Sequence, residues 1–120
     1  MKAVIKQLVG LTLFRRSISK IRKAYYRVQS RRYVNKEELS KYLIDGDQTE
    51  ISAILVDLYY IHSLIKKRKP KVVLEFGVGF STLFIADALK KNTDNGYQGR
   101  LLTVDTEPFW LENTQTKLPD

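Results

Sequence analysis

The sequence predicts an α/β fold built around one strand, one helix and a second strand. Residues 71–76 are a short apolar, partly β-branched run typical of a strand buried on both faces, and residues 100–104 form a second strand-like run. Residues 81–91 lie between them, carry apolar side chains at helical spacing and end in two lysines. A strand, a crossover helix and a strand form a right-handed βαβ unit with a parallel pair. Any ligand crevice is then expected at the carboxyl ends of the two strands.

Two helices are predicted before the first strand. Residues 4–28 carry apolar side chains in two rows with a seven-residue repeat, and the remaining face is basic. The second helix is predicted to begin at Asp47, because Asp47 and Glu50 have the spacing of a capping box. It should end in the basic run 66–69, where cations favour the negative end of the helix dipole, and Pro70 prevents further winding. Near the C-terminus, Pro108 predicts the first turn of another helix, and 92–96 reads as a loop.

The composition narrows the class of protein. The chain has 120 residues, of which 43% are hydrophobic and 28% charged, as in a soluble globular domain. Arg15 and Arg16 interrupt the most apolar stretch before it reaches the roughly 18 residues of a membrane span. The chain has no cysteine, which excludes disulfides, thiolate metal sites and a cysteine nucleophile and fits a cytoplasmic protein. No set of residues at metal-ligand spacing is present either, so no metal site is expected.

The positive charge is concentrated in the first third of the chain. The net charge is +8, and residues 1–41 contain only two acids, Glu37 and Glu38. The cations of this segment are Lys2, Lys6, Arg15, Arg16, Lys20, Arg22, Lys23, Arg27, Arg31, Arg32, Lys36 and Lys41. The sequence therefore divides into a basic helical segment, 1–41, and a balanced body, 45–120. The basic helix is expected to pack on the body or a partner chain, or to dock on an anionic surface, with a membrane favoured over nucleic acid. If the partner is a membrane, the expected location is the cytoplasm with peripheral attachment to the membrane surface.

Five residues at the two strand ends are candidate ligand contacts: Glu75, Gly77, Gly79, Ser81 and Asp105. The glycines allow a sharp exit from the strand and a close approach to the backbone, and Ser81 adds a hydroxyl near a helix N-terminus. Asp105 follows the second strand, where a carboxylate can accept both hydroxyls of a ribose. A dinucleotide motif would have glycine at the position of Thr82, and a phosphate-binding P-loop would have lysine after its last glycine. A ligand with an ammonium, a carboxylate and a ribose fits these residue types better.

The stretch VLEFGVGFST, residues 73–82, resembles the first motif of class I S-adenosylmethionine-dependent methyltransferases, and LLTVDTEP, residues 101–108, resembles their second-strand motif. The resemblance covers about residues 47–118 and is nearest to the small O-methyltransferase-like branch. It implies an incomplete Rossmann-like three-layer fold with S-adenosyl-L-methionine as the cofactor. In this family Glu75, Gly77 and Gly79 would line the methionine end, Ser81 would contact the carboxylate and Asp105 would hold the ribose.

The same resemblance implies a sheet of about seven strands, whereas this sequence supplies two. The expected function is therefore the cofactor-binding part of a methyltransferase, a C-terminally truncated fragment inactive alone, with the methyl acceptor and the catalytic base unknown. The alternative is a non-catalytic interaction protein that docks on a membrane surface or a partner through its basic helix.

Structural roles compete with functional ones at several positions. Glu75 is also explained if it caps the loop by accepting backbone N–H bonds while the glycines only turn the chain. His62, the one histidine, is expected to be a partly buried packing residue and not a catalytic base. Phe109 and Trp110 are expected to pack the last helix on the sheet, although they would also suit an adenine.

Overall fold

A computed structural model describes residues 2–44 and 46–119, with only the backbone given for 2–14, 48 and 53. The protein is a mixed helix and strand fold that is mostly helical. Helix α1 spans Lys2–Lys36, a 3₁₀-helix spans Leu39–Leu43, and α2 spans Gln48–Arg68. Strand β1 spans Val72–Phe76, α3 spans Phe80–Asp94, β2 spans Arg100–Val104, and α4 spans Pro108–Gln115. The α-helices and strands follow the predicted order, and the 3₁₀-helix is an element that the sequence did not predict.

Helix α1 is longer than the sequence predicts, because it continues from residue 28 to Lys36. At 35 residues it is about 52 Å long, in a molecule whose longest dimension is 64 Å. Among the residues of α1 whose side chains are described, those that pack against the body lie in its last turns: Tyr26, Ser30, Tyr33 and Val34. Tertiary packing stabilises this extension, since Ser30 and Val34 are buried although local sequence gives no helix signal there.

Helix α2 begins and ends as predicted. The Asp47 carboxylate accepts hydrogen bonds from the N–H groups of Thr49 and Glu50, at 2.7 and 3.1 Å, and so satisfies two donors of the first turn. The helix ends at Arg68, and Lys69 closes it in a left-handed conformation just before Pro70.

The two strands form a parallel pair in which Val72 is opposite Arg100 and Phe76 is opposite Val104. The prediction that β1 is buried on both faces is wrong. Exposed and half-buried residues alternate along both strands, because helices cover only one face of the described sheet. Apart from Arg100, the uncovered face is apolar; its exposed apolar residues are Val72, Leu74, Phe76, Leu102 and Val104.

Helix α3 runs three residues further than predicted, so the expected loop begins at Asn95 and not at Asn92. Asn92 is buried, and its side-chain amide donates to the carbonyl of Ile65 at 2.9 Å. This bond to α2 explains why a sequence typical of a turn is helical.

The core lies between α2, α3 and the 3₁₀-helix and continues onto the covered face of the sheet. One cluster of buried residues includes Leu39, Leu58 and Phe84, and a second joins Ile65 and Ile85 to Val73 and Leu101 of the strands. Helix α3 is thereby fixed against both α2 and the sheet. This packing sets where the N-terminus of α3 meets the strand ends. Within the part of the chain that the structure describes, none of the helices combines the length and hydropathy needed to cross a bilayer.

Candidate functional site

The carboxyl ends of β1 and β2 lie side by side, and the loops that follow them are in direct contact. Pairing continues past the last strand residue, since the Gly77 N–H donates to the Val104 carbonyl at 2.8 Å. The Val78 N–H then donates to the Asp105 carboxylate at 2.7 Å. The glycine loop and the second acidic strand end therefore form one continuous rim, as the βαβ order predicts.

Glu75 lies near the end of β1 on the covered face of the sheet, and hydroxyl groups surround its carboxylate. Ser81 and Thr82 of α3 donate to it at 2.6 and 2.7 Å, and Thr103 of β2 donates at 3.2 Å. The interpretation of Glu75 as a cap for backbone N–H groups does not describe these bonds, all of which come from side chains. A carboxylate has about four acceptor positions, so three hydroxyls leave room for a further donor.

Thr82 links this cluster to the start of α3. Its hydroxyl accepts a bond from the Gly79 N–H at 3.1 Å while it donates to Glu75. One donor of the helix N-terminus is thus satisfied by a side chain that also orients Glu75. The structure therefore joins three of the predicted site residues, Glu75, Gly79 and Ser81, through Thr82 and direct contact.

Asp105 is half-buried and is held by backbone groups on both sides. One carboxylate oxygen accepts from Val78 and the other from Glu107, at 2.7 and 2.8 Å. The N–H groups of Glu107 and Val78 lower the pKa of Asp105 below its usual value, because they favour the ionised carboxylate. Its remaining lone pairs are available to hydroxyl donors.

The two glycines of the loop differ in whether the backbone conformation requires a glycine at that position. Gly77 has a φ of +90°, which L side chains rarely adopt, so the backbone itself requires glycine there. Gly79 has an extended backbone with a φ of −178°. A Cβ placed on either glycine would meet no atom within 4 Å. The loop therefore borders open space, and neither packing nor backbone conformation explains the glycine at 79.

A cavity of about 470 Å³ lies beside the loop, within the size range of small-molecule sites. Its lining combines the loop, the N-terminus of α2 and one side of α4; the lining residues with polar or aromatic side chains are Asp47, Glu50, Phe80, Trp110, Asn113, Thr114 and Lys117. Volume alone does not single it out, because a cavity of about 520 Å³ lies between α1, the 3₁₀-helix and α2, and one of about 490 Å³ lies between β2, α3 and α4. The bare backbone of Gly79 favours the cavity that this glycine lines.

The prediction that Phe109 and Trp110 pack α4 on the sheet is wrong. Both side chains are exposed, and their rings contact each other edge to face with centroids 5.3 Å apart. Trp110 instead lies at the border of the cavity that Gly79 also lines. The buried residue of α4 is Thr114 and not an aromatic one. An exposed aromatic ring thus lies beside the loop.

His62 is fully buried, and not partly buried as the sequence predicts, and it belongs to a hydrogen-bond network away from the strand ends. Its Nε2 lies 3.0 Å from Asp87, and its Nδ1 lies 2.8 Å from the Tyr33 hydroxyl. Asp87 also accepts from Tyr42 and pairs with Lys91 at 2.9 Å. Burial alone would raise the pKa of Asp87, but the bonds from His62 and Lys91 outweigh it and hold that pKa at about 2. Burial raises the pKa values of Tyr33 and Tyr42 above the ordinary value for a tyrosine.

The sequence interpretation missed Thr82, Thr103 and the Val78 N–H as parts of the site. Thr103 had a usable signal, since in the parallel pair it lies directly opposite Glu75. Thr82 stands seven residues after Glu75 and three after Gly79, a spacing that brings the first turn of a helix back over the strand end. The Val78 N–H carries no side-chain signal at all.

Comparison with protein-family models, with curated proteins and with solved structures finds no match to this chain. Any assignment of function therefore depends on the chemistry of the strand ends.

Proposed function

We propose that this protein binds S-adenosyl-L-methionine at the ends of β1 and β2 and is the cofactor-binding part of a class I methyltransferase with a Rossmann-like sheet. The observation that carries the proposal is the contact between the Asp105 carboxylate and the Val78 N–H, at 2.7 Å. It puts the two acidic strand ends on either side of a loop whose glycines face open space.

The residues fit the cofactor group by group. Glu75 can accept the ammonium of the methionine end, because its three hydroxyl donors leave acceptor capacity. The first N–H groups of α3 lie where a carboxylate is favoured. The Ser81 hydroxyl beside them donates its one proton to Glu75, and it would turn that proton to the ligand carboxylate when the ammonium pairs with Glu75. Asp105 can accept the ribose hydroxyls with the lone pairs that Val78 and Glu107 leave free.

The glycine loop between Glu75 and Asp105 leaves space for the part of the cofactor that lies between its amino acid end and its ribose. Gly79 keeps the backbone accessible, and a side chain at that position would project into the open region beside the loop. Trp110 borders the same region and offers an aromatic face.

When bound, the cofactor supplies an activated methyl group, and the chain's own residues bind and orient it. Orientation of two reactants accounts for a large part of the rate enhancement in such transfers. We assign no catalytic base and no acceptor pocket to the described residues. The acceptor side is proposed to come from further strand and helix units that cover the apolar face of Val72, Leu74, Phe76, Leu102 and Val104.

Calorimetric titration of the protein with S-adenosylmethionine tests the proposal. We expect saturable binding by the wild type and at least about tenfold weaker binding by Asp105→Asn. Glu107→Gln is the matched control, because it removes one exposed carboxylate two residues away and should bind like the wild type. No heat of binding with the wild type, or equal affinity for Asp105→Asn, would overturn the proposal.

A further inference from the structure

Helix α1 carries an exposed apolar stripe that the proposed cofactor site does not explain. The stripe consists of Ile18, Ile21, Tyr25 and Val28, which are between 47% and 70% exposed. Their spacing of three and four residues places them on one face of the helix. Four large apolar side chains in a row are unusual on a free surface and indicate a binding face.

The stripe faces away from the body of the protein. Tyr26, Ser30, Tyr33 and Val34 form the side of α1 that packs on the body. At about 100° per residue, the centre of the stripe lies roughly 145° around the helix from this packed side. A flat surface can therefore contact the stripe without colliding with α2 or α3.

Cations flank the stripe on both sides, and the sequence of α1 itself contains no acid. By the same rotation, Arg22 and Arg15 lie roughly 80–100° to one side of the stripe centre, and Arg31 and Lys20 lie roughly 100–120° to the other. All four are exposed, and the chain contains no Asp or Glu before Glu37. The face is thus apolar along its centre and positive along both borders.

We infer that this face of α1 docks on an anionic lipid bilayer, with the stripe entering the boundary between head groups and acyl chains. An interfacial helix uses both features at once, since the apolar side chains are buried and the bordering cations contact the head groups. Nucleic acid would use the cations but leave the apolar stripe uncovered. A second copy of α1 would bring like charges together along both borders, which opposes pairing through this face.

Vesicle flotation of the full chain tests the inference with lipid as the only partner. Vesicles of phosphatidylcholine alone are compared with vesicles that contain about one third phosphatidylglycerol. We expect binding to the anionic vesicles, at least about tenfold weaker binding to the neutral ones, and loss of binding as salt rises from roughly 0.1 to 0.5 M.

Two pairs of variants distinguish binding through the apolar stripe from binding by charge attraction alone. Ile18→Asn with Ile21→Asn keeps the net charge and should weaken binding at least about tenfold, whereas Leu64→Asn, on an exposed face of α2, should not. Lys20→Gln with Arg31→Gln should weaken binding more than Lys67→Gln with Arg68→Gln, which removes the same charge elsewhere. Circular dichroism confirms that each variant is folded.

Absence of binding to anionic vesicles would overturn the inference. So would vesicle binding that is unchanged in the Ile18 and Ile21 double variant, because the stripe would then take no part. Stronger binding of a short DNA duplex than of vesicles, equally insensitive to the two isoleucines, would assign the face to nucleic acid instead. None of these outcomes bears on cofactor binding at Asp105.

Discussion

His62 Nε2 lies 3.0 Å from a carboxylate oxygen of Asp87, and this pair joins α2 to α3 in the interior of the protein. The carboxylate only accepts, so Nε2 carries the proton of this bond. In the neutral imidazole, Nδ1 then accepts from the Tyr33 hydroxyl of α1. Three helices thus meet at one histidine, which makes the pair a determinant of stability.

Asp87→Asn is expected to lower the free energy of unfolding by about 3 kcal/mol, because Lys91 and His62 lose a shared buried partner. Urea denaturation measures the change. Asp94→Asn, an exposed position near the end of the same helix, is the control and should change stability by less than about 0.5 kcal/mol. An Asp87→Asn protein as stable as the control would show that the network contributes little.

The low pKa of Asp87 predicts how stability depends on pH. The folded pKa of about 2 lies below the ordinary value of 3.8, so the unfolded chain takes up the proton first as the pH falls. The stabilisation from the ionised carboxylate is complete above about pH 4 and is lost as the pH falls towards about 2. The difference in unfolding free energy between wild type and Asp87→Asn should therefore shrink by about 2 kcal/mol across that range. Other carboxylates titrate in both proteins and cancel in the difference; a constant difference would contradict the assignment.

Replacing the loop glycines by alanine is expected to lower stability at Gly77 and ligand affinity at Gly79. Gly77→Ala should cost roughly 1–2 kcal/mol of stability, since its φ is +90°. Gly79→Ala should leave stability within about 0.5 kcal/mol of the wild type, because its backbone is extended and the new methyl meets no atom within 4 Å. The same variant should bind S-adenosylmethionine at least about tenfold more weakly, because the methyl narrows the open region. Thermal denaturation measures the change in stability, and calorimetry measures the change in affinity. If Gly79→Ala bound the ligand as tightly as the wild type, the loop would not be part of the binding site.

Glu75 and Asp105 are expected to recognise opposite ends of the cofactor. Glu75→Gln should weaken binding of S-adenosylmethionine by about tenfold to a hundredfold, since the charged partner of the ammonium is lost. Methylthioadenosine keeps the ribose and adenine but lacks the amino acid end, so its affinity should fall in Asp105→Asn and stay unchanged in Glu75→Gln. Competition binding with both ligands measures this pattern. Equal losses for both ligands in Glu75→Gln would mean that Glu75 acts on the loop and not on the ligand.

The sequence predicted the local elements well where local chemistry decides them. Strand β2 and the start of α2 lie where predicted, because an apolar run before Asp105 and an Asp47 cap are local signals. The helix over Asn92 was missed, because the bond to Ile65 that stabilises it comes from a distant part of the chain. The exposure of Phe76 was missed for a related reason, since burial of a strand face depends on which other elements cover it.

In the candidate site, too, the features set by the order of elements were predicted, and those set by tertiary packing were missed. The closeness of the glycine loop and Asp105 follows from the order of strand and helix, and the structure confirms their contact. The hydroxyls of Thr82 and Thr103 around Glu75 depend on strand register and helix placement, which the sequence interpretation did not use. Binding of a cofactor by these residues stays a prediction.

Nuclear magnetic resonance of the ¹⁵N-labelled protein would show where on the chain S-adenosylmethionine binds. On titration with this ligand, we expect saturable shifts in the amide signals of Gly77, Val78, Gly79 and Glu107, while the amide signals of Leu64 and Ile21 stay in place. No saturable shift, or shifts confined to residues away from the two strand ends, would contradict the proposed binding site.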